Sequence, residues 1–329
     1  MSREITINGQ VILPGQNVQT RLLVSRLPSG TVIDIPVYVY RALTEGPVVL
    51  LMAGMHGDEV NGIETIRRMI RRNLLRPKCG TIIAIPILNI YGFLNFSREV
   101  PDGKDVNRSF PGNKNGSLAS RVAHRFTREI LPYIDYGIDF HTGGASRTNY
   151  PQIRCLMDFP ENERLARAFG APFILNAALR SKSLRKEAFK QNKFIIVYEC
   201  GESLRLDEPG IKQGIRGTMR VLQELGMQKI GLGPTTAPPI ICAKSHWMRA
   251  KVAGIFRCRA ILGQYIKKGE VYGSLADPYG DMAVRLKSTQ SGYIIGLNNM
   301  TVVNQGDALI HVGVQNEQNT IMAEPTSFT

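Results

Sequence analysis

Four short, buried-looking runs mark the first two thirds of the chain: "PVVLLMA" (47–53), "GTIIAIPIL" (80–88), "IDYGIDF" (134–140) and "KFIIVY" (193–198). Each is too short to cross a bilayer and too continuous for a strand with one wet face. Segments of helical periodicity separate or follow them, at roughly 59–75, 117–131, 161–169 and 210–225. Buried strands alternating with amphipathic helices predict an α/β fold, a mixed sheet with helices on both faces. The first 45 residues differ, with alternating segments around the turn "LPSG" (27–30), and read as a β-rich lead-in.

At 329 residues the chain is long enough for two domains. The proline-rich break "GLGPTTAPPI" (231–240) reads as a linker, placed at 233–240, which ends an α/β domain spanning 1–232. Beyond it, two segments repeat a glycine, an apolar strand and a "KKGE" or "NQGD" turn. This part, 241–315, resembles the small barrel-sandwich of biotinyl and lipoyl domains. Lys287 lacks the flanking motif of their modified lysine, so the unit is expected to be structural. The polar tail, 316–329, reads as mobile.

A net charge of +14 permits an anionic partner, but the basic residues are dispersed. The densest run, "RRMIRRN" (67–73), fits the wet face of an amphipathic helix, so no nucleic acid is expected. Five scattered cysteines without a CxxC spacing suggest neither disulfides nor a cysteine metal site. With no signal-peptide core and no apolar stretch of about 18 residues, no membrane contact is expected and the location reads as cytoplasmic.

In open α/β sheets, ligands bind beyond the carboxyl ends of the strands. The first run ends in "GMHGDE", with His56, Asp58 and Glu59; the third in "HTGG", with His141; the fourth in "ECG", with Glu199. Two histidines and a carboxylate are a standard catalytic zinc set. His56 and Glu59, three apart, can face one ion, and His141 completes the set for one zinc per chain. Asp58 reads as a supporting or helix-capping residue rather than a fourth ligand. Glu199 is the candidate base for a metal-activated water, against the plainer reading of a strand-end ion pair. The loop "FSREVPDGKDVNRSFPG" (96–112) carries Arg98, Asn107 and Arg108, which suit an oxyanion and a carboxylate.

"AGMHGDE", "DVNRSFPG", "DFHTGG" and "YECG", in that order, resemble the succinylglutamate desuccinylase/aspartoacylase family, an M14-like branch of the zinc carboxypeptidase superfamily. The resemblance runs from about Val48 to Leu225. It implies that His56, Glu59 and His141 hold zinc and that Glu199 acts as general base and then general acid. It further implies that Asn107 and Arg108 bind a substrate carboxylate and that Arg98 stabilises the oxyanion. The expected activity is zinc-dependent deacylation, cleavage of the amide bond of an N-acyl amino acid or related small amide. The alternatives are a zinc carboxypeptidase acting on peptide C-termini and a non-catalytic anion-binding protein. Family members use a further arginine before the glutamate, and "ALRSKSLRKEAFKQNK" offers both Arg180 and Arg185 without selecting one. The C-terminal unit could cap the cleft or support a homo-oligomer.

Overall fold

A computed structural model of the protein describes residues 4–26, 29–229, 231, 233 and 237–315. The expected tail at 316–329, part of the linker and half of the "LPSG" turn lie outside these residues. The chain begins with a small hairpin, β1 (Ile5–Ile7) and β2 (Gln10–Ile12). The strands β3 (Asn17–Arg26), β4 (Val32–Arg41), β5 (Thr44–Met52), β6 (Cys79–Ile85), β7 (Tyr136–Gly143), β8 (Arg147–Cys155), β9 (Phe173–Asn176) and β10 (Phe194–Glu202) follow. Later come β11 (Ile240–Arg249), β12 (Gly254–Cys258), β13 (Tyr265–Ile266), β14 (Val271–Ala276), β15 (Ala283–Lys287), β16 (Gly292–Asn298), β17 (Val302–Val303) and β18 (Ala308–Gln315).

Twelve of these strands form one mixed sheet in the order β13-β16-β18-β11-β9-β8-β10-β7-β5-β6-β4-β3. At its centre β6, β5, β7 and β10 run parallel, as their continuous apolar sequences require. β5 shows why both faces are covered. Val48, Leu50 and Met52 enter one core, with Val122 and Phe126 of α3 (Leu118–Glu129), while Val49, Leu51 and Ala53 enter the other. The second core receives Ile66 and Met69 of α1 (Val60–Arg71), Phe169 of α4 (Pro160–Phe169) and Leu222 of α6 (Glu208–Glu224). Between α1 and α3 lies the short α2 (Ile90–Leu94), and between α4 and α6 lies α5 (Leu184–Lys190).

Local chemistry sets the helix ends. Ser117 caps α3 by accepting from Ser120 N, and Asp207 caps α6 by accepting from Gly210 N. α4 begins on Pro160 and stops at Gly170, whose φ of 72° is a left-handed cap that favours glycine. Among the described residues, no helix is long and apolar enough to cross a membrane.

The sheet continues into the C-terminal strands. β11 pairs in parallel with β9, and β16 pairs with both β18 and β8. β8, β9, β11, β18 and β16 therefore form a closed circuit of five paired strands. A second sheet, β15-β14-β12-β17, is separate. Phe256, Leu275 and Leu286 from it share a core with Leu309, Ile310 and Val312 of β18.

Candidate active site

β5 ends at Met52, and the chain turns sharply before α1 begins at Val60. Gly54 has a φ of 59°, and a side chain on Gly57 would overlap the backbone of Gly92. The turn brings His56 and Glu59 over the end of the sheet, both about 2% exposed. On the neighbouring parallel pair, His141 of β7 and Glu199 of β10 are register partners. All four side chains therefore stand at carboxyl ends of parallel strands, where such sheets place ligands.

His56, Glu59 and His141 each present one ligand atom, and the three atoms lie within 4.8 Å of one another. Glu59 Oε1 is 2.7 Å from His56 Nδ1, and Glu59 Oε2 is 2.8 Å from His141 Nδ1. The other ring nitrogens also face carboxylates. His141 Nε2–H donates to Asp139 Oδ2 (2.9 Å), and His56 Nε2–H approaches Asp105 Oδ1 (3.3 Å). A carboxylate only accepts, so these contacts orient both rings and turn both Nδ1 atoms toward Glu59. Each Nδ1 then needs a cation between it and the carboxylate, either its own proton or a shared metal ion. Burial works against the charge on Glu59, but His56 and His141 outweigh it and hold its pKa well below the carboxylate range. Burial likewise opposes a charge on the two imidazoles, but Glu59 with Asp105 for His56, and Asp139 with Glu59 for His141, raise both. The donor set and the outer carboxylates fit a divalent metal.

A cleft of about 590 Å³ opens above this cluster. Its walls carry six arginines (98, 108, 147, 154, 180 and 185) against the carboxylates of Asp58, Glu59, Glu99 and Glu199. The expected site residues Arg98, Asn107, Arg108 and Glu199 all reach it. Arg98 donates to Asp105 Oδ2 (2.9 Å) and sits 3.5 Å from Glu59 Oε1, so it borders the metal-ligand cluster. Asn107 and Arg108 lie in a 3-10 turn (Val106–Arg108) capped by Asp105, which accepts from Asn107 N. Asn107 Oδ1 accepts from Leu184 N (3.0 Å), and burial lowers the pKa of Arg108. Both Arg180 and Arg185 line the cleft.

Glu199 lines the cleft and pairs with Arg154 Nη1 at 3.1 Å, the strand-end ion pair of the plainer reading. Its second oxygen accepts from Asn149 Nδ2 (2.5 Å). Asp58 makes no capping bond, for α1 has no side-chain cap and Asp58 Oδ1 is buried without a partner. Sequence reasoning missed Asp105, Asp139, Asn149 and Arg154. Only Asp139 left a signal, because in "DFH" it lies two residues before His141 and shares its face of β7.

Comparison with known proteins matches residues 45–225, more than half of the chain, to the model of the succinylglutamate desuccinylase/aspartoacylase catalytic domain. A curated relative, the N-alpha-acetyl-L-2,4-diaminobutyric acid deacetylase of Halomonas elongata, is 29% identical over 295 residues, 84% of each chain. The crystal structure of a succinylglutamate desuccinylase/aspartoacylase from Rhodobacter sphaeroides superposes with a TM-score of 0.80 at 26% identity, covering 92% of this chain and 96% of that one. The product-bound ectoine utilization protein EutE (DoeB) of Ruegeria pomeroyi shares the fold, with a TM-score of 0.83 at 22% identity over 96% of this chain and 100% of that one.

Proposed function

The chain belongs to the succinylglutamate desuccinylase/aspartoacylase family, and from that premise we propose that it is a metal-dependent hydrolase of the amide bond in small N-acyl amino acids. The observation that carries this reading is the buried His56–Glu59–His141 cluster, its ligand atoms within 4.8 Å of one another below a cleft that Glu199 lines. Zinc, one ion per chain, suits two histidines and a glutamate, and when bound it would polarise the amide carbonyl and acidify a water molecule.

The chain's own residues supply the rest. Glu199 takes the proton of the attacking water and returns it to the departing amine nitrogen. Asn149 and Arg154 hold its two oxygens, and a carboxylate has about four acceptor sites, so capacity for that proton remains. Arg98, already beside Glu59, donates to the oxyanion that forms on the acyl carbonyl. Asn107 Nδ2 and the Arg108 guanidinium grip the substrate carboxylate, and Asn107 keeps its place through Leu184 N. The relative's name, a deacetylase of an acetylated diamino acid, supports a small acylated amino acid as the substrate. In this reading residues 241–315 form a barrel-sandwich-like unit behind the expected linker at 233–240, whose last residue already opens β11, and the unit joins the main sheet through β9 and β8.

The test is a zinc-loaded hydrolysis assay on N-acetyl and N-succinyl amino acids beside blocked dipeptides. Release of free amino acid from the acyl compounds is expected. Cleavage confined to C-terminal residues of the dipeptides would replace the reading with a carboxypeptidase.

A further inference from the structure

A row of residues crosses five strands from the candidate base to the C-terminal part of the chain. Asn149 of β8 donates to Glu199 of β10. Asn149 is the register partner of Gly296 on β16, Gly296 of His311 on β18, and His311 of Trp247 on β11. Directly opposed residues share a face of the sheet. A Cβ built on Gly296 would sit 3.1 Å from Asn149 Oδ1 and 3.2 Å from His311 Cβ, so glycine leaves a trough between those side chains. At the far end the His311 ring lies flat against the Trp247 indole, with centroids 4.5 Å apart and planes 6° from parallel. Burial pushes the His311 pKa down to about 3, so an uncharged ring backs the indole at neutral pH.

The Arg147 guanidinium covers the same indole, its central carbon 5.6 Å from the ring centroid. Arg147 precedes Asn149 by two residues on β8 and therefore shares its face. Arg147, Asn149, Glu199 and Trp247 all line the cleft. Arg98 and Arg154 are ion-paired there, but among the described residues Arg147 pairs with no carboxylate, and its buried Nε lacks a partner. The cation–π contact keeps the guanidinium beside the indole, and a guanidinium without a carboxylate partner can bind one through two parallel hydrogen bonds.

We propose that Arg147, held over Trp247, is a carboxylate-binding subsite of the cleft, built in part by the C-terminal strands and additional to Asn107 and Arg108. That its ligand is a substrate group rests on the hydrolase reading. The subsite favours N-acyl amino acids with an acidic side chain and disfavours a cationic one, such as that of acetylated diaminobutyrate.

Trp247 is the chain's one tryptophan, so its emission reports on the subsite directly. In the full-length chain carrying Glu199→Gln to block turnover, emission is followed while N-acetyl-L-glutamate, N-acetyl-L-alanine or Nα-acetyl-L-2,4-diaminobutyrate is added, with calorimetry in parallel. N-acetylglutamate should produce a saturable change and bind about tenfold tighter than N-acetylalanine, with the diaminobutyrate compound weakest. Arg147→Met should erase the advantage of N-acetylglutamate and leave N-acetylalanine unchanged. If Arg147→Met does not fold, Arg147→Lys serves, since an ammonium cannot make the paired bonds and should also lose affinity. Unchanged affinity in the folded variant, or calorimetric binding of N-acetylglutamate without an emission change, overturns the subsite. Wild-type turnover separates the two claims. Hydrolysis without a tryptophan response removes the subsite alone, a response that depends on Arg147 without hydrolysis removes the hydrolase reading alone, and neither result removes both.

Discussion

At the foot of the cleft, His56, Glu59 and His141 are buried and each faces a charged partner, with Asp105 and Asp139 behind them. Along the wall, Arg147 is half-buried and rests on an aromatic ring, and Arg180 is exposed. The first region is assembled from the ends of adjacent parallel strands, where each side chain has one arrangement that satisfies its neighbours. The second depends on register among strands far apart in the sequence, and among the described residues Arg147 there has no carboxylate partner. Buried, mutually satisfied charges suit a fixed catalytic group, whereas cations in reach of solvent suit recognition of a ligand. Damage to the cluster should therefore remove rate for every substrate, and damage to the wall should redistribute substrates.

The largest effect is expected at the cluster. His141→Ala should abolish metal retention and lower kcat/KM by about 10⁴-fold, on the order of 5.5 kcal/mol of transition-state stabilisation. Metal analysis beside steady-state kinetics checks it, and a variant that keeps both metal and rate would break the contrast. Glu199→Gln should lower kcat by about 10³-fold while metal stays bound, because it removes the proton acceptor and no ligand. Asp139→Asn should weaken zinc binding by about 10- to 100-fold, measured by chelator competition, because the His141 ring loses its anchor.

The change expected to touch activity least concerns the wall and appears in stability. The His311 pKa, 6.5 by ordinary value, is pushed down to about 3 by burial and then by Arg154 and His246. Between those pH values the unfolded chain binds a proton that the folded chain refuses. Stability from this group is thus complete above pH 6.5 and declines as pH falls toward 3, at up to about 1.4 kcal/mol per unit. His311→Gln should flatten the dependence of the urea midpoint on pH between 6 and 4 relative to the parent, a difference that cancels the other titrating groups. An unchanged slope would mean that the ring is not held neutral.

The half of the molecule that carries the cluster was largely readable as sequence. β5, β6, β7 and β10 coincide with the four buried-looking runs to within a few residues, since a strand covered on both faces must be largely apolar. α1, α3, α4 and α6 likewise fall on the segments with helical periodicity. β8 was not readable. "RTNYPQIRC" mixes arginine, asparagine and proline and has neither an apolar run nor a regular alternation. Yet it supplies Arg147, Asn149 and Arg154 to the cleft. Trp247 was hidden for the same reason, in the polar strand segment "AKSHWMR", because its place depends on β11 pairing with both β9 and β18. Asp105 depends on how the 96–112 loop folds back on His56, which composition does not encode.

The central claim is that the His56–Glu59–His141 cluster holds the one metal ion that the chemistry needs. The direct measurement is to strip the wild-type protein with a chelator, titrate zinc back, and follow hydrolysis of an N-acetyl amino acid at each addition. Activity should vanish on stripping and return in proportion to zinc, reaching its plateau at one equivalent per chain. Full activity in the stripped protein would contradict the account.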